Sequence, residues 1–390
     1  MPQHTEVAEH PVTGAPASHF VLPAVELGRL IEALARRGFD VAGPTLRDGA
    51  IVYDHIARAE DLPAGWTDEQ APASYRLKRR EDQAIFAYVV GPQSWKKYLH
   101  PSEVLLCSAM RDNGQFRILN NEAAAPSPYA FLGVRACELQ AIAVQDRVLL
   151  EDKHRDPIYE EHRHDLFIVS VQCTQSAKTC FCASMGTGPR AQSGFDLALT
   201  ELTGNGSHRF LVETGTQRGA EVMAELHAAV APERDWREAE LAVDAAAHQQ
   251  VRGIDTTGLK DFLYQNFEHP RWDDVARRCL ACANCTMVCP TCFCTNVEDF
   301  TDVTGDHAER RRDWDSCFTL GFSYIHGGNI RNSAKARYRQ WLTHKLASWF
   351  DQFGTAGCVG CGRCITWCPV GIDLTEEIRA MRETQDDRKP

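Results

Sequence analysis

The sequence predicts an α+β protein in two parts, an N-terminal α/β layer domain with a mixed sheet and a C-terminal domain that is all-helical. Two observations support this prediction. In the first two thirds of the chain, short apolar runs bounded by turn residues alternate with helical stretches, as in layered sheets and helices. After residue 258 the apolar positions follow helical spacing, and two cysteine-rich runs lie among the helical segments.

Length and charge limit how many domains and which kinds of partner the chain can have. The chain has 390 residues, more than one typical core, so at least two domains are expected. A net charge of −11 argues against nucleic acid or an anionic membrane as partner, because both attract basic surfaces. No stretch approaches 18 consecutive apolar residues, and no basic region precedes an apolar stretch at the N-terminus. We therefore expect no membrane insertion and a cytoplasmic location.

The N-terminal part is expected to comprise a flexible arm over residues 1–20 and the α/β domain over residues 21–245. The arm is rich in Pro, Ala, His and Thr and has no periodicity. The domain opens with a helix in "LPAVELGRLIEALARRGF", which Gly38 should end. Apolar patterns then predict strands and further helices: strands in "AIFAYVV" (84–90), "YAFLGV" (129–134), "DLFIVSVQ" (165–172) and "RFLVE" (209–213), and helices in "ELQAIAVQDRVLL" and "RGAEVMAELHAAV".

Residues 246–390 are predicted to form the helical domain. The helix in "TTGLKDFLYQNF" should begin on a threonine cap. A longer amphipathic helix is predicted in "NIRNSAKARYRQWLTHKLASWFDQF", and its apolar residues form one stripe: Ile330, Ala334, Tyr338, Trp341, Leu342, Leu346, Trp349 and Phe353. No strand is predicted here, so the cysteine runs should lie at helix ends.

The two cysteine runs have the same spacing. Residues 279–290 read "CLACANCTMVCP" and residues 358–369 read "CVGCGRCITWCP", each a C-x2-C-x2-C-x3-C-P pattern. In bacterial ferredoxins with this pattern, three cysteines bind one [4Fe–4S] cluster and the fourth binds the other cluster. Two clusters with crossed ligands are therefore predicted, the first on Cys279, Cys282, Cys285 and Cys368, and the second on Cys358, Cys361, Cys364 and Cys289.

Structural zinc is the alternative for these runs, because zinc also takes four cysteines. Zinc sites usually combine two separate C-x2-C pairs, whereas each run here has four cysteines followed by proline, and this favours the clusters. The 68 residues between Cys289 and Cys358 exceed a compact ferredoxin insert, and the arrangement resembles the α-helical ferredoxin of fumarate reductase. Gly357, Gly360 and Gly362 are expected to let backbone N–H groups approach the sulfides.

A further set of cysteines lies in the α/β domain. Cys137 follows one predicted strand, and Cys173, Cys180 and Cys182 follow another, so adjacent strand ends could bring all four together. Four thiolates suffice for a third [4Fe–4S] cluster, which is the prediction, and ordinary buried cysteines are the alternative. The glycine-rich "SMGTGPRAQSG" (184–194) lacks the order of a dinucleotide or P-loop motif, and we expect it to wrap the metal site.

The remaining cysteines and the basic runs carry less specific signals. Cys292, Cys294 and Cys317 are expected to pack near the clusters, with metal ligation as the alternative, and Cys107 is expected in the core. Solvated faces are expected for the basic stretches, with docking of an acidic partner or a raised cluster potential as alternatives. These stretches are "RLKRR" (76–80), "RRR" (310–312) and the helix carrying Arg331, Lys335, Arg337, Arg339 and Lys345.

Motifs in both domains resemble one family. They are "FLGVRACELQAIAVQDRVL", "CFCASMGTGP", "CPTCFCTNVED", "WDSCF", "GGNIRNSAKARYRQWLTHKL" and "CVGCGRCITWCPVGIDL". Over roughly residues 75–380 the chain resembles the 4Fe-4S dicluster family, which includes the beta subunit of cytoplasmic NAD(P)-linked [NiFe] hydrogenases and the dicluster subunit of anaerobic sulfite reductase. The resemblance implies a non-catalytic electron-transfer subunit in a hetero-oligomer. The implied partners are the small and large hydrogenase subunits and a flavoprotein NAD(P)H subunit.

Two functions from different classes remain open at this point. The first is an electron relay, which fits a sequence that offers cluster ligands without a paired-carboxylate, Ser/His/Asp or zinc-protease motif. Within it, a hydrogenase subunit is preferred, and the dicluster subunit of a dissimilatory or anaerobic sulfite reductase is the alternative. The second is a self-contained reductase whose α/β domain binds flavin or substrate.

Overall fold

The computed structural model describes residues 19–386, except residues 113, 120–126, 152 and 205. Residues 1–18 of the predicted arm lie outside the described residues. His19 and Phe20, assigned to the arm by the sequence, instead form the start of the first strand and pair with Glu213 and Val212. None of the helices in the described part of the chain has the length and apolar character needed to cross a bilayer.

The strands are numbered along the chain. They are β1 (His19–Pro23), β2 (Asp40–Arg47), β3 (Ala50–His55), β4 (Trp66–Ala71), β5 (Ser74–Arg79), β6 (Glu103–Asp112), β7 (Gln115–Leu119), β8 (Tyr129–Val134), β9 (Phe167–Val171), β10 (Leu197–Leu202), β11 (Arg209–Thr214), β12 (Ala229–Val230), β13 (Thr295–Thr301), β14 (His307–Trp314), β15 (Tyr324–Ile325) and β16 (Gly328–Asn329).

The α-helices are numbered in the same way. They are α1 (Leu27–Arg36), α2 (Lys96–Leu99), α3 (Ala136–Leu149), α4 (Pro157–Arg163), α5 (Gln217–Glu225), α6 (Glu233–His248), α7 (Leu259–Gln265), α8 (Arg271–Arg278), α9 (Asn284–Met287), α10 (Ala334–Thr343), α11 (Trp349–Phe353), α12 (Arg363–Thr366) and α13 (Leu374–Asp386). A π-helical turn, His344–Ser348, joins α10 to α11.

The N-terminal part is built on a mixed sheet, as predicted, and this sheet has eight strands. Its order is β12-β1-β11-β10-β9-β8-β2-β3. The central strands β10, β9, β8 and β2 run parallel, and the outer pairs are antiparallel. Strands β8 and β9 are almost wholly apolar and buried, because both faces of a parallel sheet are covered. Helix α1 packs one face with buried residues at helical spacing, and Gly38 follows its end with φ +87°.

The predicted strand at residues 84–90 is wrong. The segment is buried, but it has no regular secondary structure and lies between β5 and α2. Its backbone groups are satisfied by side chains instead of a ladder: the Glu201 carboxylate accepts from the N–H groups of Ile85 and Phe86, and the Arg135 guanidinium donates to the carbonyls of Phe86 and Tyr88. The other three predicted strands are confirmed as β8, β9 and β11.

The prediction of an all-helical C-terminal domain is also wrong, chiefly over residues 295–314. Strands β13 and β14 form a hairpin there, and β14 pairs with β6 of the N-terminal part in a sheet of order β13-β14-β6-β7. Apolar side chains on both faces of this sheet are exposed, among them Ile118 on one face and Met110 and Phe300 on the other. With no buried face, the sequence lacks the alternation that marks a strand.

Apart from the short antiparallel pair β15 and β16, the remaining C-terminal elements are helical, and most of them share a second core. The stripe of α10 and the following turns is buried at Tyr338, Trp341, Leu342, Leu346 and Trp349, as predicted, whereas Ile330 is exposed. Helix α10 begins later than predicted, capped by the Ser333 hydroxyl on the Ala336 N–H. Helix α7 begins on Gly258, at φ +60°, rather than on a threonine.

Candidate functional site

The first cysteine run lies at the end of α8 and includes α9. Cys279 directly follows α8, and Ala281 and Ala283 have left-handed backbones with φ of +51° and +67°. Such conformations are uncommon for alanine and curl the chain tightly. As a result, Cys279, Cys282 and Cys285 line one pocket, and Cys368 of the second run lines the same pocket. The structure thus brings together the four residues predicted for the first cluster.

The walls of this pocket suit an iron–sulfur cluster. Tyr338 and Trp341 line it, and the Tyr338 hydroxyl and the Trp341 indole nitrogen are buried without a hydrogen-bond partner in the described structure. Sulfides and thiolates of a cluster accept hydrogen bonds, which is one way in which proteins set cluster potentials. Unpartnered buried donors beside four cysteines therefore fit this cofactor.

The cysteines do not have the compact arrangement of a zinc site. Within the described residues, no group of three or more His, Cys, Asp or Glu side chains is placed to hold a single metal ion. With Zn–S bonds of about 2.3 Å, four thiolates around zinc lie roughly 3.8 Å apart, whereas a cubane carries its thiolates outside four iron corners.

Cys289 leaves its own run and lies beside the second one. Lys345 Nζ donates to Cys289 Sγ at 3.0 Å and to the Gly357 carbonyl, next to Cys358, at 2.9 Å. The Thr291 hydroxyl donates to the same carbonyl at 2.6 Å. A hydrogen bond from Cys292 and the charge of Lys345 hold the pKa of Cys289 well below its usual value, although burial acts in the opposite direction. The structure thus brings Cys289 to the second run, where the crossed assignment predicts it.

Three glycines in or next to the second run lie so close to other parts of the protein that a side chain would not fit there. A Cβ on Gly357 would lie 2.7 Å from the Trp349 ring, and one on Gly360 would lie 2.7 Å from the backbone of Cys182. A Cβ on Gly362 would lie 2.4 Å from the Thr179 carbonyl oxygen. The Phe181 N–H also donates to the Gly360 carbonyl at 2.9 Å. Gly360 and Gly362 therefore let the second run meet segment 179–182 backbone to backbone, whereas Gly357 lets the chain pack against the Trp349 ring.

The third cysteine set is brought together as predicted. Cys137 lies in the first turn of α3, and Cys137, Cys180 and Cys182 belong to one buried cluster of side chains. Cys173, just after β9, interacts electrostatically with Cys137, Cys180 and Cys182. Burial raises the pKa of Cys182 to about 12 and that of Cys137 well above its usual value. Thiols in this setting need a metal or a cation to stay deprotonated.

The loop at residues 184–194 encloses the third set on one side. A Cβ on Gly188 would lie 3.1 Å from Cys182 Sγ, and Thr187 donates from its hydroxyl to the Val359 carbonyl at 2.7 Å. Gln250 Nε2 donates to Cys182 Sγ at 3.2 Å. The loop therefore ties the third set to the second run, in agreement with its predicted role as a wrapping segment.

The three sets form a contiguous series. Cys361 of the second set packs in the same buried cluster as Cys137, Cys180 and Cys182 of the third. On the other side, Cys364 lines the pocket of the first set and interacts electrostatically with Cys285. The second set therefore lies between the other two.

The other cysteines divide into two groups. Cys292, Cys294 and Cys317 each interact electrostatically with the Lys345 ammonium group, and Cys317 also interacts with Cys285 of the first set, so the three pack near the proposed cluster ligands, as predicted. Cys107 was predicted in the core and this is wrong, because it is exposed on β6 in the sheet whose two faces carry exposed apolar residues.

Three buried charged residues at the site carried no signal strong enough for prediction. Arg363 and Glu138 form an ion pair whose side chains are 0% and 1% exposed, and the pair joins the second run to α3. Lys345 is also buried, although its helix was expected to present a solvated basic face. An available signal was position, since Lys345 falls on the apolar stripe between Leu342 and Leu346, and Arg363 falls inside a cysteine run.

Most of the basic stretches form ion pairs within the chain. Arg310 pairs with Asp299, Arg311 with Glu103, and Arg312 with Asp156. On α10, Lys335 pairs with Asp273, and Arg339 pairs with Glu268. These contacts give the basic residues partners inside the molecule.

Comparison with known proteins gives one family and one relative. Residues 278–372 match the family model of a 4Fe-4S dicluster domain. Over 277 residues the chain is 34% identical to the sulfhydrogenase 2 subunit beta of Pyrococcus furiosus, a match that spans 70% of this chain and 80% of the relative. No solved structure matches the chain significantly.

Proposed function

The chain belongs to the family of the sulfhydrogenase beta subunits, which are iron–sulfur electron-transfer subunits, and from this membership we propose that it relays electrons between two partner subunits. One partner is a flavoprotein subunit that handles NAD(P)H, and the other is the small subunit of a [NiFe] hydrogenase with its large subunit. In this proposal the chain itself is non-catalytic and works in the cytoplasm. Its two parts, residues 21–245 and 246–390, each contribute cluster ligands.

Three [4Fe–4S] clusters carry the electrons in this proposal. The first is held by Cys279, Cys282, Cys285 and Cys368, the second by Cys358, Cys361, Cys364 and Cys289, and the third by Cys137, Cys173, Cys180 and Cys182. The shared pocket of the first set and the position of Cys289 beside Gly357 support the crossed ligation. The common buried cluster of Cys137, Cys180 and Cys182 supports the third site.

The observation that carries the proposal is the series of adjoining cysteine sets. An electron relay needs cofactors close enough for successive transfers, and sets that share packing and a pocket wall meet this requirement. At one end of the series, Cys282 and the neighbouring Leu280 are exposed, so the first cluster would lie near the surface. We therefore assign the first cluster as one exchange point with a partner and the second as the middle of the path.

Copurification and cofactor analysis test this function. The tagged chain, produced alone under anaerobic conditions, should be brown and free of flavin, with roughly twelve irons per chain for three four-iron clusters. It should reduce artificial dyes only when the partner subunits are present. Pull-down from a strain that expresses the native gene cluster should recover a flavoprotein and hydrogenase subunits.

Three experimental results would contradict the proposed function, and each would indicate a different one. A chain that carries stoichiometric flavin and reduces sulfite or NAD(P)+ unaided would be a self-contained reductase. Recovery of sulfite reductase subunits instead of hydrogenase subunits would assign the relay to a different terminal enzyme. A colourless chain with zinc in place of iron and sulfide would contradict electron transfer altogether.

A further inference from the structure

A lysine ammonium group lies buried beside the cysteine that crosses between the two runs. Lys345 is 4% exposed, and its Nζ donates to Cys289 Sγ at 3.0 Å, to the Thr291 hydroxyl at 2.9 Å and to the Gly357 carbonyl at 2.9 Å. An ammonium group has three protons, and these acceptors use all of them. None of the three acceptors is a carboxylate, so the Cys289 sulfur is the acceptor that can carry a negative charge.

The backbone holds Lys345 in this position. The residue lies in the π-helical turn His344–Ser348, and its carbonyl oxygen accepts from the Gly357 N–H at 2.7 Å. Lys345 therefore contacts Gly357 with both its main chain and its side chain. Single π-helical turns occur often at functional sites. Here the turn places Lys345, which falls on the apolar stripe, in contact with both Cys289 of the first run and Gly357 beside the second run.

A second buried lysine shows that burial near cysteines does not by itself give this contact. Lys96 is also 4% exposed, but its Nζ donates to the Cys292 carbonyl at 3.0 Å and lies 3.8 Å from the centre of the Trp314 ring. A carbonyl and an aromatic face accommodate a cation without a thiolate. Only Lys345, of these two lysines, donates directly to a proposed cluster ligand.

A buried cation beside a cluster ligand affects the two redox states unequally. Reduction adds one negative charge to the cluster, and a positive charge nearby in a low-dielectric interior stabilises the reduced state more than the oxidised state. A hydrogen bond to the ligand sulfur acts in the same direction. Both effects raise the reduction potential of the cluster that the sulfur binds.

We propose that Lys345 is a positioning residue that raises the reduction potential of the second cluster through its hydrogen bond to Cys289. This inference rests on the proposed ligand assignment. The middle site of the relay then accepts electrons more readily than it would with a neutral residue at this position. Lys345 acts through Cys289 and contacts no substrate.

Redox titration followed by electron paramagnetic resonance tests the inference on the full-length, cluster-loaded chain. Lys345→Met removes the charge at similar volume, Lys345→Arg keeps the charge, and Lys335→Met removes a charge from the preceding helix α10, at the Asp273 ion pair. In Lys345→Met, one cluster signal should move to lower potential while the iron content stays unchanged. Lys345→Arg should restore most of the shift, and Lys335→Met should leave all potentials unchanged.

The variants at position 345 decide the inference together. It is overturned if Lys345→Met keeps its iron and every potential, or if Lys345→Arg keeps its iron and shifts as far as Lys345→Met. Should Lys345→Met lose the second cluster, Lys345→Arg decides: retention with a near-native potential supports the inference, and loss of the cluster in this variant also overturns it. A wild-type chain without iron and sulfide would overturn the proposed function itself, before any variant is compared.

Discussion

At the scale of single residues, buried charges and thiols set the properties of the site. Glu138 accepts hydrogen bonds from the Tyr53 hydroxyl at 2.7 Å and the Trp95 indole at 3.2 Å, and it forms an ion pair with Arg363. Each partner comes from a different part of the chain, so this one carboxylate joins the sheet, α3 and the second cysteine run. Burial makes such a pair intolerant of the loss of one member.

Glu138→Gln should destabilise the protein by about 3–5 kcal/mol, because it leaves the wholly buried Arg363 guanidinium without its counter-charge. The midpoint of denaturant unfolding, measured anaerobically on the cluster-loaded protein, reports the change. The control is Glu69→Gln, which breaks an exposed pair with Lys78 and should leave the midpoint unchanged. Equal midpoints for Glu138→Gln and the wild type would show that the buried pair is not needed for stability.

Crossed ligation is testable by comparing serine variants. If Cys289 belongs to the second cluster, Cys289→Ser should perturb the same electron paramagnetic resonance signal as Cys361→Ser, and Cys282→Ser should perturb a different one. Serine is a poorer ligand than a thiolate for iron–sulfur clusters, so each variant should lose up to roughly four irons. Cys107→Ser, at an exposed cysteine, is the control and should lose none.

A match between the signals lost in Cys289→Ser and in Cys282→Ser would contradict the crossing. It would place Cys289 with its own run. The proposed position of the second cluster in the relay would then need a different fourth ligand.

At the scale of elements, the second cysteine run and segment 179–182 depend on each other. Gly360 has φ +63°, and its carbonyl accepts from Phe181, while its missing Cβ leaves room for the Cys182 backbone. The second and third cysteine sets therefore owe their proximity to a contact between two loops. A small change in one loop should therefore alter the geometry of both the second and the third cysteine set.

Gly360→Ala should reduce occupancy of the third site. The added Cβ would lie 2.7 Å from the backbone of Phe181 and Cys182, so segment 179–182 must move. Gly354→Ala is a matched control, because Gly354 has a similar φ of +67° but open space around it. Both variants carry a left-handed strain of about 1–2 kcal/mol. Iron content per chain should fall in Gly360→Ala alone, and equal iron in both variants would contradict the packing argument.

Local patterns predicted some elements and not others, for physical reasons. The grouping of Cys279, Cys282 and Cys285 follows from short spacing, and β8 and β9 follow from continuous apolar runs. Residues 84–90 look like a strand, but their hydrogen-bond partners Glu201 and Arg135 lie far away in sequence. Burial of Lys345 depends on its contact with Gly357, just before the second run, and helical spacing alone does not encode this contact.

At the scale of the whole molecule, the core of the eight-stranded sheet and the core of the C-terminal helices differ in their need for cofactors. The core around the eight-stranded sheet consists of aliphatic and aromatic side chains and contains no cysteine. The second core, formed by the C-terminal helices, has the cysteines of the first and second sets packed against it: Cys279, Cys285, Cys358, Cys364 and Cys368. The clusters would therefore fill the space beside the second core and link its helices.

Removal of the clusters should loosen the C-terminal part before the sheet. A cofactor that binds only the folded state stabilises the region that holds it, and its loss removes that contribution. After treatment with a chelator and an oxidant under anaerobic conditions, limited proteolysis should cut first within residues 259–386 and in the loop that carries Cys173, Cys180 and Cys182, while the strands of the eight-stranded sheet stay uncut. Mock-treated protein is the control. Mass spectrometry identifies the fragments, and early cleavage within the eight-stranded sheet, or protection equal to that of the mock-treated chain, would show that the clusters do not support the second core.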